Sequence, residues 1–410
     1  MLRIPYLLRI LYLPVGIVLG LIAGIIVGLH APAVAEATGW MGTFFMNSLK
    51  MVILPLIITS VIAGVGRIGD VKKLGRKGFW TLLYFGTTTA IAVGLGILIS
   101  DTLGFGERAI DTTSVQPPEG KAYSRGYSDL VLSLVTPNLF RSLSEMDILP
   151  VLLFCLLLGG ALAMQGERAA PIFRTMEVLE KAVITIVHMI LVFAPIGVYG
   201  LIAARTASLG EGFFDEVFAL RYYVRNVLLG LGIHGFVILP LIYWVFARKN
   251  PFRFLWNLFP VLGTAFSTAS SSATLPLTMS VLEEKEKISP ETTGFVLPLG
   301  ATVNMDGTAL YEAMAAMFIA HLFGVQLDLS AQIVVFLTAT LAAIGAAGIP
   351  EAGLVTMAIV LRAVGLPLEG IALILSIDWF LDRCRTAVNV LGDTVGASIL
   401  DRFTGDVKND

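Results

Sequence analysis

The run from Leu368 to Leu400 is long and apolar enough to cross a bilayer. Yet its core, DWFLDRCRTAVNVLGDTVGASIL (Asp378 to Leu400), carries Asp378, Asp382, Arg383, Arg385, Asn389 and Asp393. Wound as a helix at about 100° per residue, Asp378, Asp382, Arg385, Thr386, Asn389 and Asp393 fall within an arc of roughly 100°. Trp379, Leu381, Val388, Val390 and Leu391 lie largely outside it. Each ionisable group at bilayer depth costs on the order of 2.5–3.5 kcal/mol on insertion scales. Such a stripe must face protein, water or a ligand. It is either a structural ion-pair seam between helices or a site for a charged solute and its counter-ions.

Composition places the rest of the chain in the membrane too. It is 56% hydrophobic and 14% charged, where soluble domains carry about 25% charged residues. A net charge of -2 with no basic tract leaves no footprint for nucleic acid. Cys155 and Cys384 form neither a disulfide framework nor a CxxC pair. His30, His188, His234 and His321 show no metal spacing, and His188 and His234 read as interhelical hydrogen-bonding residues. Gly64–Gly66–Gly69 and Gly230–Gly232–Gly235 match G-x-G-x-x-G but follow no strand of a βαβ unit. No HExxH, GxSxG or P-loop occurs, so no enzyme is expected.

Six apolar runs come first: about Leu11 to Leu29, Met41 to Ala63, Phe79 to Ile99, Ile148 to Met164, Ala182 to Ala204 and Val224 to Ala247. The first leads into a full span with no small-residue cleavage site. Short connections rich in Lys and Arg belong in the cytoplasm. That rule places inside the N-terminus (Arg3, Arg9), the connection with Arg67, Lys72, Lys73, Arg76 and Lys77, the one with Arg168 and Arg174, and Arg248 to Arg253. The Glu36 connection and the Gly104–Asp129 loop fall outside.

The last third reads differently. Phe254 to Leu282 is apolar at both ends with TASSSATLP (Thr268 to Pro276) in its middle and charged residues on both flanks, the pattern of a re-entrant hairpin. Non-helical backbone at that depth is tolerated only where protein or a watery cavity encloses it. Gly294 to Phe323 is interrupted by TVNMDGT (Thr302 to Thr308), and Ile333 to Val364 by AAIGAAGIPEAG (Ala342 to Gly353). Hairpin plus broken helix thus occurs twice, Phe254 to Phe323 and Ile333 to Leu400, each with an Asn-x-x-Gly cluster: Asn304–Gly307 and Asn389–Gly392. A helix crosses between the hairpins, so the halves are inverted. Interrupted apolar segments at matching places in two halves point to a transporter's binding site.

The chemistry fits cations and an anion together. Gly307 permits a helix break, and Asn304, Asp306, Asn389 and Asp393 offer the hard oxygens that suit a hard cation such as sodium. Ser270, Ser271 and Ser272 bring hydroxyls to one hairpin tip, where half-helix N-termini present free amides to an anion. Gly345, Gly348, Pro350 and Gly353 shape the other. Thr87, Thr88 and Thr89 could add ligands, but a Thr run in a helix more often bonds back to its own carbonyls.

SSSATLP, NMDGTALYEA, GAAGIPEAGLVTM and DWFLDRCRTAVNVLGD resemble the dicarboxylate/amino acid:cation symporters, the glutamate transporter family, with motifs nearest the excitatory amino acid transporters. The resemblance implies an all-α polytopic membrane protein of eight transmembrane helices plus two re-entrant helical hairpins in inverted repeats, working as an elevator within a homotrimer. It implies multi-pass insertion in the cell (inner or plasma) membrane with both termini cytoplasmic. Residues 1–250 would be mainly trimerisation scaffold through spans 1, 2, 4 and 5, with spans 3 and 6 joining a transport domain at 251–410. By the same resemblance Arg385 takes the substrate's side-chain carboxylate and Asp382 its amino group, with Thr386, Asn389, Thr308, Ser271, Ile349 and Gly353 completing the pocket. One sodium site would use Gly300, Asn304, Asn389 and Asp393. A second would use Thr302, Met305, Ala343, Ile344 and Ala346, and a third Thr88, Thr89, Asn304 and Asp306. Glu312, four residues after Thr308 on one helix face, would carry a proton, with potassium returning the carrier and Arg383 adding positive charge nearby. Three positions depart from the family pattern: Glu351 in the second tip, Ala269 before the serines, and Phe85 in place of a tyrosine at the third sodium site.

The implied function is sodium-coupled uptake of L-glutamate, L-aspartate and D-aspartate, with C4-dicarboxylates or neutral amino acids as the alternative substrates. Asp382 favours an amino acid, because a carboxylate matches an ammonium and repels a plain diacid. A channel would more naturally use rings of pore-lining groups.

Overall fold

The computed structural model describes residues 6–68, 71–105, 132, 135–145, 148–210, 213–344 and 352–404, and among these the chain is helical with no strand. The helices are α1 (Tyr6–His30), α2 (Pro32–Ile68), α3 (Val71–Leu103), α4 (Leu139–Ser144), α5 (Ile148–Ala163), α6 (Ala170–Leu191), α7 (Ala194–Leu209) and α8 (Phe213–Ile233). There follow α9 (Pro251–Thr268), α10 (Ser271–Lys285), α11 (Pro290–Val303), α12 (Asp306–Leu322), α13 (Leu329–Ile344), α14 (Ala352–Ala363) and α15 (Ile371–Thr404). Among the described residues three helical stretches are long and apolar enough to cross a membrane: Pro32–Gly66, Gly78–Leu103 and Val217–Ala247. The Gly104–Asp129 loop lies almost wholly outside the described residues.

The helices pack in two groups. α1 and α2 both lie against α7, and α2 also covers α5 and α6. Gly16, Gly20, Gly24 and Gly28 form a seam along α1 that meets α7. A Cβ on Gly24 would stand 2.9 Å from the Tyr199 carbonyl oxygen, and one on Gly28 2.5 Å from the Thr206 Cβ. Small residues four apart allow this close approach of backbones. In the second group α3 and α8 pack on α12, and α15 runs through the middle against α3, α8, α9, α11 and α12.

Interruptions in the helices follow local chemistry. The expected fifth run is bent: α6 ends at Leu191 and α7 restarts at Ala194, with Pro195 in its first turn. Proline has no N–H to donate to the turn before it, and is well placed in the first turn of a new helix. Beyond Ile233 the sixth run continues through wide π-helical turns at His234–Ile238 and Tyr243–Ala247, flanking a short α segment that contains Pro240. α9 starts on Asn250, which accepts from the Phe252 and Arg253 amides, and ends at Ala269 with φ of 50°. Ser270 then caps α10 by accepting from the Ala273 amide at 3.2 Å. Two residues therefore reverse the chain, and α9 packs on α10. α13 packs on α14 in the same way, but their connection, with Gly345, Ala346, Gly348, Ile349, Pro350 and Glu351, lies outside the described residues.

The two broken helices expected from the sequence are one. The helix breaks at Asn304–Met305, between α11 and α12, where Asn304 has φ -105° and ψ 83°. α15 instead runs uninterrupted for 34 residues through Asn389–Asp393. Gly392 there is tolerated within a helix already held on several sides by its neighbours, and packing overrides its weak propensity.

Candidate substrate and cation site

The break between α11 and α12 frees backbone amides deep in the protein, and unpaired buried amides are costly. α15 supplies their partner. The Asn389 Oδ1 accepts from the Gly307 amide at 2.7 Å and the Thr308 amide at 3.4 Å, and its Nδ2 donates to the Thr308 hydroxyl at 3.1 Å. A side chain on Gly307 would collide with the Arg385 carbonyl, 2.7 Å from its Cβ position, so glycine sets how closely α12 meets α15.

On one side of this junction lies an oxygen cluster. Asp306 Oδ1 accepts from the Thr89 hydroxyl at 2.8 Å and the Thr88 hydroxyl at 3.3 Å, and Thr88 also reaches Asn304 Oδ1 at 3.2 Å. Asn304 Nδ2 donates to Asp393 Oδ1 at 3.0 Å. Both carboxylates are buried. Asp393 packs directly on Gly300, where a Cβ would overlap it. Among the described residues no three His, Cys, Asp or Glu side chains gather as a metal cluster. Two buried carboxylates among neutral amide and hydroxyl oxygens are donors of the kind that suit a hard cation.

The predicted cation residues separate by position. Thr88, Thr89, Asn304 and Asp306 form one connected network. Gly300, Asn304 and Asp393 meet, whereas the Asn389 carboxamide is engaged with α12. Of the second set, Met305 and Ala343 are buried, and Thr302 bonds back to the Leu299 carbonyl at 3.0 Å. Ala346 lies outside the described residues, as does Ile349 of the pocket. Phe85 packs beside Gly300 and Gly396, and its neighbour Tyr84 donates to the Gly392 carbonyl at 3.0 Å.

On the other side of the junction stands Arg385, fully buried. Its Nη2 donates to Asp382 Oδ1 at 2.8 Å and lies 3.2 Å from Asp378 Oδ1. Its guanidinium carbon sits 3.9 Å over the Tyr311 ring, and the Tyr311 hydroxyl donates to Asp378 at 2.6 Å. Nε and Nη1 have no hydrogen-bond partner among the described residues. Gly353 abuts them: a Cβ there would stand 2.5 Å from Nη1. Thr386 bonds to the Asp382 carbonyl at 2.8 Å, and Ser271 is buried at the start of α10. A buried guanidinium with two unmet donors is a receptor for a planar anion.

Glu312 is fully buried, and among the described residues the Thr356 hydroxyl, through a hydrogen bond, and the Arg385 charge are the polar groups that act on it. Arg383 points elsewhere. It donates to the Ser267 and Phe266 carbonyls at 2.6 and 3.2 Å, a cation on the C-terminal end of α9. Sequence reasoning passed over Tyr311 and gave Asp378 no role. Tyr311 follows Thr308 by three residues, a helix-face spacing that was available as a signal. His234, read as an interhelical residue, places Nε2 3.0 Å from Asp306 Oδ2.

Residues 13–403 match the sodium:dicarboxylate symporter family. The chain belongs to that family. Among its relatives is the neutral amino acid transporter B(0) of Bos taurus, 39% identical, covering 96% of this chain and 80% of that protein. An excitatory amino acid transporter of Caenorhabditis elegans is 37% identical over 95% of this chain and 86% of its own length. Excitatory amino acid transporter 3 of Mus musculus is 36% identical, covering 95% and 84%. The sodium:dicarboxylate symporters are transporters rather than enzymes, coupled to sodium, and this member is a membrane protein that moves an amino acid or dicarboxylate. These relatives are named for excitatory and for neutral amino acids, so the names alone do not decide this chain's substrate.

Proposed function

We propose that this symporter takes up acidic amino acids, L-glutamate, L-aspartate and D-aspartate, together with sodium. The observation that carries the reading is the pair of donors on buried Arg385 that are unmet among the described residues. An anionic side chain satisfies them bidentately, and a neutral one leaves them orphaned at a cost of about 1–3 kcal/mol or more. Asp382, one turn away, takes the substrate ammonium, and Thr308, Thr386, Asn389, Ser271, Ile349 and Gly353 frame the remainder.

Sodium enters as co-substrate at Thr88, Thr89, Asn304 and Asp306, at Gly300, Asn304, Asn389 and Asp393, and at Thr302, Met305, Ala343, Ile344 and Ala346. Cations there offset the charges of Asp306 and Asp393 beside the pocket, and that offset makes substrate and sodium affinity reciprocal. Glu312 carries a proton inward, limiting the charge moved through the membrane, and potassium accompanies the return. The packing of α3 and α8 with the last third of the chain supports an elevator in which they ride with residues 251–410 against α1, α2, α5, α6 and α7. The assembly is a homotrimer in the cell membrane, with eight spans, two re-entrant hairpins and both termini cytoplasmic.

The test is uptake into proteoliposomes with each ion gradient varied separately, across acidic amino acids, C4-dicarboxylates and small neutral amino acids. Saturable, sodium-dependent aspartate or glutamate accumulation is expected. Preference for small neutral amino acids, as the relatives named for neutral amino acids suggest, would replace this reading.

A further inference from the structure

Asp306 has a partner outside the four residues assigned to its cation. His234 comes from the first π-helical turn of the sixth run, is fully buried, and places Nε2 3.0 Å from Asp306 Oδ2. Its Nδ1 has no partner among the described residues. A neutral ring that donates through Nε2 leaves only an unfilled acceptor at Nδ1, whereas an imidazolium would bury an unpaired N–H as well as a charge, the costlier choice. The hydrogen bond therefore runs from Nε2–H to the carboxylate.

We propose that His234 is a positioning residue for sodium: it holds Asp306 through Oδ2 so that Oδ1 stays aimed at the cation between Thr88, Thr89 and Asn304. The division of labour at the carboxylate supports this. Both threonine hydroxyls donate to Oδ1, and an ion seated there requires them to turn their lone pairs inward instead. The bond from His234 is the contact that needs no such change when the ion arrives or leaves. A wide π turn suits the task, because it displaces a side chain from the regular helical register and is often found at functional sites. A buried second partner that fixes the orientation of a ligand commonly accounts for tenfold to hundredfold in metal affinity.

The proposal rests on Asp306 being a sodium ligand, and the experiment separates the two claims. Equilibrium binding of radiolabelled sodium is measured on the purified full-length protein, with melting temperature as a check of folding. His234→Leu keeps bulk without a donor and should raise half-saturating sodium by about tenfold to a hundredfold. His234→Gln retains an N–H of similar reach and should stay within about threefold of wild type. His234→Asn, one methylene shorter, should behave as the leucine variant does, which keeps the test open if leucine does not fold. In an Asp306→Asn background, His234→Leu should add no further loss, because partners in one network are non-additive. Additive losses, or sodium binding by His234→Leu and His234→Asn like that of wild type while Asp306→Asn is weakened, overturn the positioning role alone. Normal binding by Asp306→Asn overturns the cation assignment and the proposal with it.

Discussion

Replacing Arg385 by cysteine tests the pocket most directly. Two guanidinium donors, Nε and Nη1, are unmet among the described residues, and each charge-assisted hydrogen bond to a substrate carboxylate contributes about 1.5–3 kcal/mol. Losing both removes about 3–6 kcal/mol, and with tenfold per 1.4 kcal/mol the affinity for aspartate or glutamate falls at least about a hundredfold. A small neutral amino acid never uses those donors and gains the vacated volume, so Arg385→Cys should accept alanine or serine where wild type does not. The substitution also strips Asp378 and Asp382 of their counter-charge, and breaking a buried pair from one side costs about 3–5 kcal/mol of stability. That loss is separable. Arg385→Cys with Asp378→Asn should regain melting temperature yet still fail to bind aspartate. The assay is sodium-dependent uptake of labelled aspartate and serine in proteoliposomes, beside thermal unfolding of each variant. Unchanged aspartate affinity in Arg385→Cys, or its recovery in the double variant, refutes the reasoning.

Asp393→Asn and Asp306→Asn each remove a full charge from a buried cluster, and should raise half-saturating sodium and, through it, apparent substrate KM; normal sodium dependence in both would move the cation sites elsewhere. Glu312→Gln should still exchange substrate but lose net uptake driven by internal potassium, and its rate should no longer respond to an inward proton gradient; wild-type uptake indifferent to potassium and pH would leave a sodium-only carrier. Gly353→Ala places a methyl group against Arg385 Nη1, and should weaken acidic substrates several-fold in a binding titration at saturating sodium while leaving sodium binding itself near normal.

Much of this arrangement was legible in the chain. Ionisable residues in an apolar span carry a penalty that only a partner or ligand removes, so Asp382, Arg385, Asn389 and Asp393 stood out before any fold was known. NMDGT announced a break, because glycine and asparagine there oppose helix propagation. What could not be read is which partner each group takes. Asn389 sits within helical reach of Asp393 on the wheel, yet its amide turns to the start of α12, drawn by freed N–H groups that belong to another helix. The same pattern, Asn-x-x-Gly, unwinds the chain at 304 and leaves it helical at 389, since tertiary packing rather than composition decides whether the turn is kept. Arg383 shares its sequence neighbourhood with Arg385 but lies about 200° from it around the helix, and so meets α9. The bend before Pro195 was missed because Ala182 to Ala204 is apolar but for Thr185 and His188, and hydropathy averages over a single proline.

The bond between Asn389 and the first turn of α12 has a consequence for how such a chain can change over generations. Two copies of a similar four-residue word have taken complementary parts, one opening the backbone and the other filling the opening. Neither can drift alone. A substitution at 389 leaves the Gly307 and Thr308 amides without an acceptor, and a residue that re-closes the helix at 304 leaves Asn389 facing a finished wall. Descendants in which the asparagine at 389 has been lost should therefore carry a new acceptor near the start of α12, and exchanging the two tetrapeptides within this protein should abolish uptake although its amino-acid composition is unchanged.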